Sequence, residues 1–213
     1  MARTKNNKEL ALKKQRQICK GAMSVFRTKG FHATSIREIA KASRMSLGSL
    51  YYYIEKKEDI LFLVHKEVLS QIYSRLEESV KSHDDPATQL VHALRELFDL
   101  TCELKDEMLF IYTETKSLKK KYLREILERE AEFVKAIESL IRRGVEEGKF
   151  VCRHPDIYAN ILAFTGTIVP LRGWNILPNH SEEEVFNELV DLFLRGLGSQ
   201  APREQLTEKK ADT

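Results

Sequence analysis

The sequence predicts an all-α protein in two parts, a small N-terminal head of short helices and a larger helical body behind it. Apolar residues recur at helical spacing along nearly the whole chain. Nine Gly and five Pro among 213 residues are too few for a turn-rich β architecture, and 42% hydrophobic with 31% charged residues suits a packed soluble chain. Charge divides the two parts. Residues 1–66 hold 15 Lys and Arg against five acidic residues, a net +10, which leaves −7 on the remainder. A basic front on an acidic body fits a front end that meets a polyanion, and equally a solvated lysine-rich terminus. Charge alone does not choose.

The first helix is read over Lys13 to Lys29, where Ile18, Ala22, Val25 and Phe26 fall at i, i+4, i+7 and i+8, with Gly30 as the stop. Residues 1–11 before it read as a basic flexible arm. Thr34 or Ser35 caps a short second helix carrying Ile36, Ile39 and Ala40, and after a break at Ser43 to Met45 a third begins at Ser46. Two short helices three residues apart are the spacing of a helix-turn-helix. A fourth helix runs from Lys57 towards Lys81 with Ile60, Leu61, Val64, Val68, Leu69 and Ile72 on its buried side. Ser82 to Pro86 is a linker, in which Asp85 caps and Pro86 opens the next helix.

The body helices follow as Ala87 to Leu104, Glu107 to Lys116, Lys119 to Glu147, Pro155 to Asn175 with a kink at Pro170, and Glu182 to Leu197. Ser181 and Glu184 form a capping-box pattern before the last. Beyond Gly198 a polar tail, 199–213, is expected to be disordered. The division is therefore 1–11 arm, 12–72 head, 73–198 body and 199–213 tail.

Several classes are disfavoured. No 18-residue apolar run or signal core is present, so a cytoplasmic protein without membrane insertion is expected. Cys19, Cys102 and Cys152 are odd in number and far apart, which suits a reducing compartment. HExxH, Walker and GxSxG motifs are missing, and His32, His65, His83, His92, His154 and His180 lack ligand spacing. Neither an enzyme, a metal site nor a bound cofactor is expected.

Reading a DNA major groove takes a short helix held at a fixed angle, with small or hydrogen-bonding side chains outward and phosphate donors at its edges. The segment Ser46 to Ile54 has that form. Leu50 and Ile54, four apart, turn inward towards Ile36, Ile39 and Phe26, which frees Ser46, Gly48, Ser49, Tyr51 and Tyr52. Gly48, a poor helix residue by about 1 kcal/mol relative to Ala, permits close backbone approach to DNA, or marks a frayed helix end.

Thr34-Ser35-Ile36-Arg37-Glu38-Ile39-Ala40, Ser46 through Ile54, and Lys57-Glu58-Asp59-Ile60-Leu61 closely resemble the DNA-binding domain of the TetR family of bacterial regulators. The match extends over about residues 12 to 72 and includes Phe26, Gly30 and Phe31. The resemblance implies that Thr34 and Ser35 anchor phosphates through hydroxyl and backbone N–H, the alternative being that they only cap the second helix. It also implies that Tyr51 grips the backbone with Lys57 as its cationic counterpart, and that Arg37, Ser46, Leu47, Ser49 and Tyr52 meet the groove or its edge. Tyr53 either contacts DNA or supports the next helix, and support is the favoured reading. This chain departs from the family at the turn, where Arg44 replaces the usual Gly. A positive φ there costs a residue with a Cβ about 1 kcal/mol, and Arg44 is either a phosphate contact or a solvated arginine. The basic arm, with Arg3, Lys5, Lys8, Lys13, Lys14 and Arg16, is either a phosphate or minor-groove contact or a solubilising tail. A helical adaptor with a degenerate head is the competing reading, and the intact Thr34, Tyr51 and Lys57 set opposes it.

One head reads few base pairs, so a homodimer on a palindromic double-stranded operator is expected. Candidate dimer helices are the last two: Ile157 to Leu171 is apolar nearly all round, and the final helix stacks Val185, Phe186, Leu189, Val190, Phe193 and Leu197. The alternative is an ordinary core pair. A pocket for a small hydrophobic ligand is expected from Phe98, Thr101, Met108, Ile111, Tyr112, Phe133, Ile137, Ile161 and Phe164, with Leu97 and Val134 beside them, although the same residues describe any core. Arg143 to Phe150 and Gly173 to Pro178 resemble TetR-family members that sense acyl-CoA thioesters. That resemblance implies an acyl-CoA effector with Arg95, Arg124 and Arg172 as phosphate partners. In the family, ligand commonly relieves repression, and co-repression also occurs.

Overall fold

The computed structural model describes residues 2–81 and 85–198, with side chains over 9–75 and 85–198. Ten α-helices and one 3-10 turn make up the described chain: α1 (Ala2–Ala33), α2 (Ile36–Ala42), α3 (Leu47–Tyr51), α4 (Lys57–Lys81), α5 (Pro86–Glu103), α6 (Lys105–Glu114), the 3-10 turn Thr115–Ser117, α7 (Lys120–Glu146), α8 (Pro155–Thr165), α9 (Ile168–Ile176) and α10 (Glu182–Gly196). None of these helices is long and apolar enough to cross a membrane. α1 begins at Ala2, so the segment read as a flexible arm is helical. Its Lys, Glu, Leu and Ala are good helix formers, and no Gly or Pro interrupts them. The tail beyond residue 198 and the linker residues 82–84 lie outside the described residues.

The chain divides into two compact units, residues 1–69 with 109–126 and residues 70–108 with 127–213. A division at residue 72 is therefore too simple. The first unit takes in the end of α6, the 3-10 turn and the start of α7 because its core needs them. Leu118 and Ile126 are buried with Ile18, Phe26, Ile39, Leu50 and Ile60. Phe110 stacks on Phe26 at 4.8 Å between ring centroids, and Tyr122 stacks on Phe62 at 4.3 Å. Such aromatic pairs contribute about 0.5–1.5 kcal/mol beyond area burial.

The second unit is organised on α5, which packs against α9 and α10. Asp85 caps α5, accepting from the Thr88 N–H at 2.9 Å with Pro86 in the first turn, and Ser181 and Glu184 close the capping box of α10. Phe98 meets Phe186 at 5.5 Å, and Tyr158 meets Phe193 at 5.6 Å. The segment expected as one helix kinked at Pro170 is instead two helices, broken at Gly166 and Thr167. Proline supplies no N–H to the carbonyl four residues earlier and clashes with it in a continuous helix. The chain breaks at that carbonyl, leaving Pro170 in the first turn of α9, where no donor is required.

Candidate nucleic-acid interface

The interface is built from the C-terminal end of α1 upward. Gly30 (φ 75°, ψ 164°) takes the chain out of helical geometry, a backbone conformation that a side chain would disfavour. Thr34, buried, donates its hydroxyl to the Gly30 carbonyl at 2.7 Å. The Lys57 ammonium fills the same bend, donating to the carbonyls of Phe31 (2.7 Å), His32 (2.9 Å) and Thr34 (2.9 Å) and lying over the Phe31 ring. An ammonium has three donors, and all three are used. Lys57 thus serves as an internal clamp in this geometry, with its three donors taken up inside the bend. Thr34 likewise is folded inward.

Ser35 caps α2. Its hydroxyl oxygen accepts from the Glu38 N–H at 3.3 Å, while Glu38 accepts from the Ser35 N–H at 2.9 Å. The Lys29 ammonium, with these Ser35 bonds, holds the Glu38 carboxyl at about 2, so it stays ionised. The turn after α2 sits hard against α1. Gly21 allows this approach, because a Cβ there would stand 2.6 Å from the Ser43 nitrogen and 2.7 Å from its Cα. Gln17, one turn earlier on α1, donates to the Ser43 carbonyl at 2.6 Å and helps to fix the turn.

Ser46 caps α3 by accepting from the Ser49 N–H at 3.1 Å. The helix is shorter than expected, with Tyr52 as its C-cap. Its two faces separate as the spacing predicts. Leu50 is 0% exposed, whereas Tyr52 is 83% exposed and Ser46, Gly48, Ser49 and Tyr51 are exposed around it. Leu47 is half-buried against the core, and Tyr53 packs beside it. Arg37 and Arg44 are both exposed. The exposed residues of this segment combine hydroxyls, a glycine and cations, and Ser35 is exposed at the start of α2.

Asp59 is a functional support that the sequence reading missed. Buried at the start of α4, it accepts from the Glu55 and Lys56 N–H groups at 2.9 Å each and pairs with Lys119 at 2.6 Å. Burial raises its carboxyl, but the Lys119 bond and the two backbone donors outweigh it and hold the group below the ordinary aspartate range. An acid three residues after the residue preceding the helix was a legible capping signal, obscured because that residue is Lys56 rather than Ser or Thr.

The expected ligand residues are divided between the two units. Ile111, Tyr112 and Arg124 belong to the first unit, and Arg95, Phe98, Thr101, Met108, Phe133, Ile137, Ile161, Phe164 and Arg172 to the second. Phe98, Phe133 and Ile137 are buried core, Met108 is half-buried, and Tyr112, Arg124 and Arg172 are exposed. Arg95 is committed to α10, bidentate to Glu183 at 2.9 and 2.7 Å and stacked 3.3 Å over the Phe186 ring, so a role as phosphate partner would require breaking that pair. Ile161 and Phe164 point outward on α8 with Ile157, at i, i+4 and i+7. Conversely, Val185, Phe186, Leu189, Val190, Phe193 and Leu197, read as the dimer stripe of the last helix, are buried within their own unit. Periodicity marks an apolar face without saying which surface covers it.

Residues 18–64 match the family model of the bacterial regulatory proteins of the tetR family, and residues 83–197 match the tetracyclin repressor-like C-terminal domain. The chain is 30% identical over 111 residues to the HTH-type transcriptional regulator HbdR of Aromatoleum sp. (strain CIB), a match spanning 52% of this chain and only 48% of that protein. A tetR-family regulatory protein from Rhodococcus RHA1 shares the fold with a TM-score of 0.77 at 21% identity, covering 89% of this chain and 99% of that one. AibR, in complex with isovaleryl coenzyme A and operator DNA, shares it at 0.69 and 22% identity, covering 84% and 97%. With both its head and the greater part of its body matched, the chain belongs to the TetR family of transcriptional regulators.

Proposed function

We propose that the protein is a homodimeric repressor that binds a palindromic operator through α3 and leaves it when a lipophilic effector, an acyl-CoA thioester, occupies the body. The observation that carries the DNA-binding part is the division of α3, with Leu50 sunk in the core and Ser46, Gly48, Ser49, Tyr51 and Tyr52 exposed, as are Ser35 and Arg37. Hydroxyls and an arginine on a short supported helix are suited to base edges and phosphates, and the two-fold partner reads a second half-site about 34–36 Å away. The outward apolar row Ile157, Ile161 and Phe164 on α8 supports dimerisation, since a self-complementary patch on a two-fold axis buries itself.

The fold shared with AibR, a protein solved with isovaleryl coenzyme A and operator DNA, supports the effector class. A ligand favouring the body in a state incompatible with DNA weakens operator binding by that same differential affinity. The test is a footprint on the DNA upstream of the protein's own gene, at fixed salt, with a panel of acyl-CoA thioesters. A sharp footprint released by one thioester is the expected result. A footprint indifferent to all of them removes the acyl-CoA reading and leaves DNA binding standing.

A further inference from the structure

Arg44, in the turn between α2 and α3, is the one non-glycine residue among those described whose φ is positive, at 51°. A Cβ in this left-handed region meets the neighbouring carbonyl, and glycine would avoid the strain. The turn cannot relax around it, because it is held on both sides. The Ser43 N–H donates to the Ile39 carbonyl at 2.8 Å, and the Met45 N–H to the Ala40 carbonyl at 2.9 Å. Gly21 brings Ser43 against α1, and Gln17 holds its carbonyl. Position 44 is therefore left-handed whatever side chain stands there.

What the strain gains inside the fold is nothing visible. The Arg44 side chain is exposed, and its guanidinium makes no hydrogen bond or ion pair among the described residues. It stands two residues before Ser46, the cap of the helix whose outer face carries Ser49 and Tyr52. Strained residues held by an over-determined surround are characteristic of sites where the side chain acts on something outside the fold.

We propose that Arg44 is a phosphate clamp, a cation set by the rigid turn at the edge of the groove that α3 enters, retained for DNA affinity at the expense of head stability. The proposal rests on the DNA-binding reading above. A guanidinium suits this task, since its planar fork matches two phosphate oxygens.

The test compares wild type, Arg44→Gly and Arg44→Lys on a duplex selected from a random-sequence pool with the wild-type protein. Binding is measured from low to moderate salt, and thermal unfolding is recorded alongside. Arg44→Gly is expected to melt higher than wild type, to bind about tenfold or more weakly, and to lower the slope of log K against log salt by about one. Arg44→Lys is expected to keep the wild-type slope. Opposite movement of stability and affinity is the signature, and a variant that simply failed to fold would not produce it. Equal affinity and slope for wild type and Arg44→Gly overturn the Arg44 assignment alone. No salt-dependent binding by the wild type overturns the DNA-binding reading and this one with it.

Discussion

The Thr101 hydroxyl, buried on α5, donates to the Gly166 carbonyl at 2.7 Å, with the Phe98 carbonyl 2.9 Å away as its local alternative. Gly166 is four residues before Pro170, so its carbonyl is the one that proline leaves without an intrahelical donor. Thr101 replaces that donor, reaching from α5 to the C-cap of α8. Thr101→Val, close in shape, leaves the carbonyl buried and unpaired and is expected to cost about 1–3 kcal/mol of unfolding free energy. Thr101→Ser should lose less. Urea denaturation of the three proteins decides, and equal midpoints for wild type and Thr101→Val would remove the role assigned to the hydroxyl.

Lys57 closes the bend between α1 and α2 with three convergent hydrogen bonds. Lys57→Met is expected to destabilise the protein by about 2 kcal/mol, the scale of hydrogen bonds to a charged group. Because its three donors are taken up inside the bend, the salt slope of DNA binding should stay unchanged, where loss of a phosphate contact would lower it by about one. Lys57→Arg should not rescue stability, since a planar fork does not fit three carbonyls around a point. A reduced slope in Lys57→Met would place the residue at the DNA surface.

Ser43 and Gly21 form a matched pair for mutation. Among the described residues the buried Ser43 hydroxyl has no hydrogen-bond partner, so Ser43→Ala should be neutral or stabilising by up to about 1 kcal/mol. Gly21→Ala places a methyl against the Ser43 backbone, which cannot move aside like a side chain tip. Overpacking of this kind costs about 1–3 kcal/mol. Gly21→Ala should also weaken operator binding through displacement of the turn, and normal binding by this variant would show that the turn is less constrained than the packing indicates.

His65 is buried on α4 with the Thr115 hydroxyl 3.5 Å from its ring, and burial pushes its pKa down from 6.5 to about 4. The folded state disfavours the proton, so the unfolded chain binds it more readily between these values. Stability from this group is fully present above pH 6.5 and is lost as pH falls towards about 4. The loss is of order 3 kcal/mol across that window. Denaturant midpoints measured against pH should drop through it for wild type, and His65→Gln should show a flatter profile there.

Phe164 is 62% exposed on α8, outside the core of its unit. Phe164→Glu should leave the unfolding free energy of the protomer nearly unchanged and, if the proposed dimer uses this row, should shift it to monomer in sedimentation equilibrium, because a charge buried at a two-fold axis meets its own copy. Persistence of a dimer would move the interface away from this row.

The helix starts and the face of α3 were legible because they depend on short-range signals. Ser181 with Glu184 and Asp85 with Pro86 are local capping chemistry that forms as its spacing predicts, and of Thr34 and Ser35 it is Ser35 that caps α2. The inward placement of Leu50 and Ile54 and the outward placement of Tyr52 follow from the helical period alone. The side chains that brace this face were harder to read. Lys57 and Thr34 belong to the same recognisable run as Tyr51, yet their partners are carbonyls brought near by the bend at Gly30. Gly21 and Gln17 are spaced from Ser43 by more than twenty positions, with no local pattern linking them.

By itself the sequence determined the all-helical class, the order of the helices, the helix-turn-helix and the polar face of α3, because periodicity, caps and turn residues act within a few positions of chain. Tertiary structure decided where each apolar stripe goes. It buried the α10 stripe in its own unit, turned Ile157, Ile161 and Phe164 outward, drew residues 109–126 into the head core, and committed Arg95 to Glu183. An apolar or charged side chain carries the same local signal whichever surface meets it, and only packing between distant segments chooses among them.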